Sequence, residues 1–174
     1  MKATATPLSA ALVLTAAAVI LLPGETSAAQ TAADAPPPAV EDYTYPNADQ
    51  VLTEHGLKVF RGDGRIVLDS SRTYEEDGQC PVGQIQVEKA LAEAPYGIYY
   101  CFRTWGARGF LTLEVPGTFG LRGGDKPLQA KANLPDGESR TYEVDANEFV
   151  AVEPGTGTEL PQAILVELRL PPTS

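Results

Sequence analysis

The 174-residue chain carries 23 acidic and 13 basic residues, a formal net charge of −10. That charge repels nucleic-acid phosphates, anionic lipid and anionic wall polymers, and leaves basic or neutral partners such as a glycan. For the two cysteines, metal binding is the weaker alternative to a disulfide, because a zinc site needs four ligands and the chain has one histidine.

Residues 1–29 read as a Sec-type export signal. Lys2 supplies the positive start, residues 8–22 form an apolar run, Pro23 and Gly24 break it, and Thr26, Ser27, Ala28 and Ala29 are small. Cleavage is expected near Ala28 or Ala29. The alternative is an uncleaved anchor, but the apolar run falls short of the roughly 20 residues a spanning helix needs. No twin arginine precedes the run and no cysteine follows it for lipid attachment. The expected location is therefore extracellular, with no stable membrane anchor after cleavage. Residues 30–41 are rich in alanine and proline and read as a disordered linker. The remainder, 42–174, is long enough for one domain with its own core.

Asn47 is placed to cap a short helix, with Gln50 reaching back in a capping-box arrangement and Gly56 ending it. His55 then falls in the last turn and faces water. Residues 57–61 and 65–69 flank Gly62-Asp63-Gly64 and predict a hairpin with Ile66 and Leu68 inward. Residues 70–83 carry the acidic run Glu75-Glu76-Asp77 and read as a loop without the alternating spacing of a calcium site. Cys80 and Cys101, isolated in an exported chain, predict one disulfide. Residues 84–88 alternate, with Ile85 and Val87 on one side; residues 89–94 have helix-forming composition and stay open between strand and helical turn.

Residues 97–115 hold the strongest neighbouring strand signals and predict a second hairpin, its loop formed by residues 104–109. On the first strand Ile98, Tyr100 and Phe102 share one face, and Tyr99, Cys101 and Arg103 the other; either face is apolar enough to be buried. On the second strand Leu111, Leu113 and Val115 face inward. Residues 118–126 read as a glycine-rich crossing loop that lacks phosphate-binding spacing. Leu128, Ala130, Ala132 and Leu134 alternate, Pro135-Asp136-Gly137-Glu138 is a turn, and Tyr142 and Val144 lie on the returning strand. A short strand follows over 149–152. The last strand, 164–170, is expected to place Ile164, Val166, Leu168 and Leu170 inward.

Short strands separated by Gly/Pro turns predict an all-β fold, a mostly antiparallel β-sandwich with one short N-terminal helix. A partly open barrel is the alternative. The disulfide would tie the loop before Gln84 to the 97–104 strand. In the Gly62-Asp63-Gly64 turn, the cysteine pair and the run 109–116 with Phe119 and Gly120 after it, the chain from 43 to 170 resembles small secreted β-sandwich-like proteins of high-GC Gram-positive bacteria (actinobacteria), an uncharacterised group. The resemblance implies compartment and fold and transfers no functional residue.

The functional expectation is a non-catalytic binding or interaction module, monomeric, with an extracellular protein or a glycan as partner and no cofactor or metal. Tyr99, Arg103, Trp105 and Arg108 are the candidate contacts, because aromatic and arginine side chains dominate contact energetics and an indole stacks on a sugar. The competing reading puts Tyr99 and Trp105 in the core. Two alternatives belong to other classes. One is an inhibitor of an extracellular protease, presenting Cys80-Pro81 or the Trp105-Gly106 turn. The other is a hydrolase using a carboxylate pair such as Glu114 with Glu143.

Overall fold

The computed structural model describes residues 43–75, 78–153 and 159–170. The expected signal and linker, the acidic pair Glu76-Asp77 and residues 154–158 and 171–174 lie outside the described residues.

Among the described residues one helix and ten strands follow in chain order: α1 (Ala48–His55), β1 (Lys58–Gly62), β2 (Ile66–Thr73), β3 (Ile85–Ala90), β4 (Gly97–Thr104), β5 (Gly109–Pro116), β6 (Thr118–Arg122), β7 (Leu128–Asn133), β8 (Ser139–Val144), β9 (Phe149–Ala151) and β10 (Ile164–Leu170). They form two five-stranded antiparallel sheets, ordered β1-β5-β10-β7-β8 and β2-β4-β3-β6-β9. The sheets do not close into a barrel. The all-β sandwich expectation holds.

Neither of the first two expected hairpins forms. β1 pairs with β5 while β2 pairs with β4, so the 62–65 and 104–109 connections both cross between the sheets. They run side by side, joined by the Trp105 N–H donating to the Arg65 carbonyl at 2.9 Å. Asp63 pins the first crossing: one carboxylate oxygen accepts from the Arg65 N–H at 3.1 Å and the Phe110 N–H at 3.2 Å. Turn chemistry marks where a strand ends, and a sheet-crossing corner needs the same residues as a hairpin. The β7–β8 hairpin does form. Leu134 and Glu138 close it, and Gly137 takes φ 86°, which the turn requires.

Several local expectations change. Asn47 itself adopts φ 58° and makes no side-chain cap; Gln50 instead donates to Glu54 at 2.9 Å, so the capping box is absent. Gly56 does end the helix in the left-handed region, its N–H bonded to the Leu52 carbonyl. Residues 70–73, expected in a loop, extend β2, and residues 118–122 are strand β6 rather than crossing loop. β3 runs to Ala90, which settles the open stretch as strand before a turn.

The core is one cluster drawn from both sheets. Leu111, Leu113, Val115, Leu128, Ala130, Ala132 and Leu168 meet Ile66, Ile85, Val87, Tyr100, Phe102 and Leu121, all essentially solvent-free. Each large aliphatic or phenyl group so buried contributes about 1.5–3 kcal/mol. The inward face of β4 is therefore Tyr100 and Phe102. On β10 the expectation holds for Leu168 and Leu170 and fails for Ile164 and Val166. A bulge between Leu165 and Glu167 shifts the phase, so Leu165, Leu168 and Leu170 are buried while Ile164 and Val166 are only half-buried.

Candidate functional site

The outer face of β4 points Tyr99, Cys101 and Arg103 away from the core, with Trp105 just past the strand end. Cys101 is nonetheless fully buried, because the segment carrying Cys80 lies over it and the two cysteines are bonded. The predicted disulfide is present. Three laterally adjacent residues hold Cys80: Cys101 on β4 by its sulfur, Gln86 on β3 by accepting its N–H at 2.8 Å, and Arg122 on β6 by donating to its carbonyl at 2.6 Å. Just beyond, Pro81 to Gln84 closes as a tight turn. The Gln84 N–H bonds the Pro81 carbonyl at 3.2 Å, Gly83 takes φ 88°, and Val82 is left 86% exposed.

At the Trp105 end of this face, the Arg103 guanidinium pairs with Asp69, a residue at the β2 bulge. The other Asp69 oxygen accepts from Gln84 Nε2 at 2.9 Å. Arg103 is thus held by a chain of fixed partners while its side chain stays 58% exposed. Trp105 is 49% exposed, so the core reading of this residue is overturned. It and Arg103 wall two shallow clefts. One of about 240 Å³ is completed by Val82, Gly83, Gln84, Thr104 and Asp125; the other, of about 180 Å³, by Val67, Leu68 and Asp69.

Of the four candidate contacts, the structure brings Arg103 and Trp105 together. Arg108 is exposed on the same crossing but lines neither cleft. Tyr99 lies four residues back along β4, about 13 Å at the strand rise. There its ring stacks on Tyr74, centroids 4.3 Å apart at 25°. It is half-buried on the outer face, so it belongs neither to the core nor to the clefts. Beside this stack, Glu88 is only 7% exposed and accepts from Gln86 Nε2 at 2.6 Å. Burial raises the Glu88 carboxyl above its ordinary value, against the pull of Gln86, Arg122 and Tyr74. Burial, then the neighbouring Glu88 charge, raises the Tyr74 phenol in turn.

Asp69, Gln84, Val82 and Asp125 escaped the sequence reading. The signal for Val82 was there, an apolar residue in a Pro/Gly turn beside a bonded cysteine. For Asp69 there was none, because a bulge leaves no local pattern.

A third cleft of about 260 Å³ lies between α1 and β2, lined in part by Tyr45, Val51, Glu54 and His55. His55 does not simply face water: its Nδ1 lies 2.9 Å from the Ser71 hydroxyl, and its carbonyl accepts from the Tyr100 hydroxyl at 3.3 Å. Burial pushes that phenol up to about 12. The first contact fastens the helix end to the edge strand β2, and the second ties it to β4. Glu114 and Glu143 do not meet, since β10 and β7 lie between their strands. Glu114 pairs with Lys58 at 2.7 Å, and Glu143 accepts from Gln129 at 2.9 Å. Among the described residues no group of three or more His, Cys, Asp or Glu is arranged to hold a metal ion, and no helix is long and apolar enough to cross a membrane. No protein-family model and no curated protein matches the chain.

Proposed function

We propose that the protein is a secreted, non-catalytic binding module whose contact surface is the Trp105–Arg103 shelf. The observation that carries this reading is a half-exposed indole beside an arginine paired with Asp69, which Gln84 holds in turn. Immobilising such groups in advance lowers the entropy that binding costs, and aromatic and arginine groups supply most contact energy. The shelf sits on a sheet end and crossing loop braced by a disulfide, a rigid base for a loop-borne site. Export rests on the leader pattern at 1–29, with which an intact disulfide is compatible.

The inhibitor reading gains less support. The Cys80-Pro81 segment is well braced, but Pro81 to Gln84 folds back as a turn, whereas peptide-binding clefts commonly take an extended segment. The hydrolase reading loses its one named carboxylate pair.

The test is capture from culture-supernatant and cell-wall fractions on the immobilised 42–174 domain, alongside Trp105→Ala. Saturable capture abolished by the substitution is expected. Capture unaffected by it would move the contact surface elsewhere and sink the shelf.

A further inference from the structure

The two clefts share one indole and one guanidinium, and that sharing describes the ligand. Each is smaller than the roughly 300 Å³ at which drug-sized pockets begin, so each has room for about one ring. A chain of flat units laid past Trp105 fills both.

The polar groups narrow the class. Around the indole stand donors on Arg103, the Asp69 carboxylate and the Thr104 hydroxyl, whose contact with Asp125 is long at 3.4 Å. Gln84 lines the larger cleft, and its side-chain N–H is spent on Asp69. Mixed donors and acceptors around an apolar plate match a pyranose ring, with its C–H face and its rim of hydroxyls. The charge favours a neutral sugar. Arg103 is already neutralised by Asp69, Asp125 lines the larger cleft, and the chain is at −10. A protein partner fits less well, because interface cores are depleted in aspartate and both clefts are walled by one.

We infer that the two clefts are consecutive subsites for a linear, neutral oligosaccharide, one pyranose ring in each, with Trp105 as the shared stacking wall. This rests on the binding-module reading and names its ligand.

Trp105 is the only tryptophan in the chain, so its emission reports the site directly. The probes are glucose, N-acetylglucosamine, the cello- and chito-oligosaccharides of increasing length, and an oligogalacturonate as the charged control. A saturable emission change is expected, with affinity rising at least about tenfold from monomer to trimer. The charged control should bind at least about tenfold more weakly than a neutral oligomer of equal length. By calorimetry Trp105→Ala should abolish binding with an unchanged melting temperature, and Asp69→Asn, which frees Arg103, should weaken it. Equal affinity for monomer and trimer overturns the paired subsites. Tighter binding of the charged control overturns the neutral class. Flat titrations with every neutral sugar to about 10 mM overturn the glycan inference. If the capture experiment meanwhile shows a protein lost with Trp105→Ala, only that inference falls; if capture is also empty, the binding-module reading falls with it.

Discussion

The Arg122 guanidinium donates to the Cys80 carbonyl at 2.6 Å from β6, while Cys101, two strands away on β4, holds the same residue through its sulfur. Gln86 lies between them and takes the Cys80 N–H. One residue is thus fastened by its side chain and by both backbone groups to three adjacent strands.

The covalent part of this clamp is separable from the polar part. The cysteines are 21 residues apart, so joint replacement by alanine should cost about 3 kcal/mol on the loop-entropy account. That corresponds to a drop in melting temperature on the order of 10 °C. Far-ultraviolet circular dichroism should stay native, because the two sheets keep their ladders. Arg122→Met should cost about 1.5–3 kcal/mol by removing a charged donor from the carbonyl. Equal thermal stability of wild type and the double alanine variant would show that the clamp contributes nothing.

Glu88 makes stability depend on pH in a definite direction. Its folded pKa lies above the ordinary 4.5, chiefly through burial. The native state therefore keeps its proton to higher pH than the unfolded chain does. The contribution of this group is complete below about pH 4.5 and is lost as pH rises through its folded value. Glu88→Gln, which still accepts from Gln86, should be more stable than wild type near pH 7. The gap should close on acidification. Urea melts at both ends of that range decide it, and a constant gap would refute the assignment.

Gly97 is glycine because Tyr74 lies on it. A β-carbon there would run into the Tyr74 ring. Gly97→Ala should cost about 1–3 kcal/mol, the usual range for forced overpacking. It should also disturb the Tyr74–Tyr99 stack, read as a loss of near-ultraviolet tyrosine dichroism. An unperturbed alanine variant would show that the ring has room to move.

Trp105 is half-exposed, so its emission should be red-shifted and readily quenched by acrylamide. Trp105→Ala should change stability by less than about 0.5 kcal/mol, as surface substitutions do. A blue, shielded emission, or a large loss of stability, would return the indole to the core.

Much of the fold was legible wherever side chains alternate without interruption. Leu111, Leu113 and Val115 on β5, and Leu128, Ala130 and Ala132 on β7, are buried as the period of two requires. The turn at Pro135 to Glu138 and the Cys80–Cys101 bond were equally plain. The misreadings have two causes. Bulges near Phe60, Asp69 and Val166 shift strand phase, and no local residue pattern announces them. Glycine on β6 suggested a loop, yet Gly120 is there because the Phe149 ring and the Glu88 carboxylate occupy the space a side chain would need.

By itself, the sequence determined that strands form here, which faces of the regular ones are apolar, where most of them stop, and that two cysteines are available to each other. These are properties of a residue and its near neighbours. Which strand pairs with which was decided only by the tertiary structure, because sheet partners are chosen by burying faces contributed from distant parts of the chain. The 62–65 and 104–109 corners send their flanking strands into opposite sheets. That arrangement carries Trp105 out of the core and sets it, with Arg103, against Asp69, a residue 36 positions away in sequence from the indole.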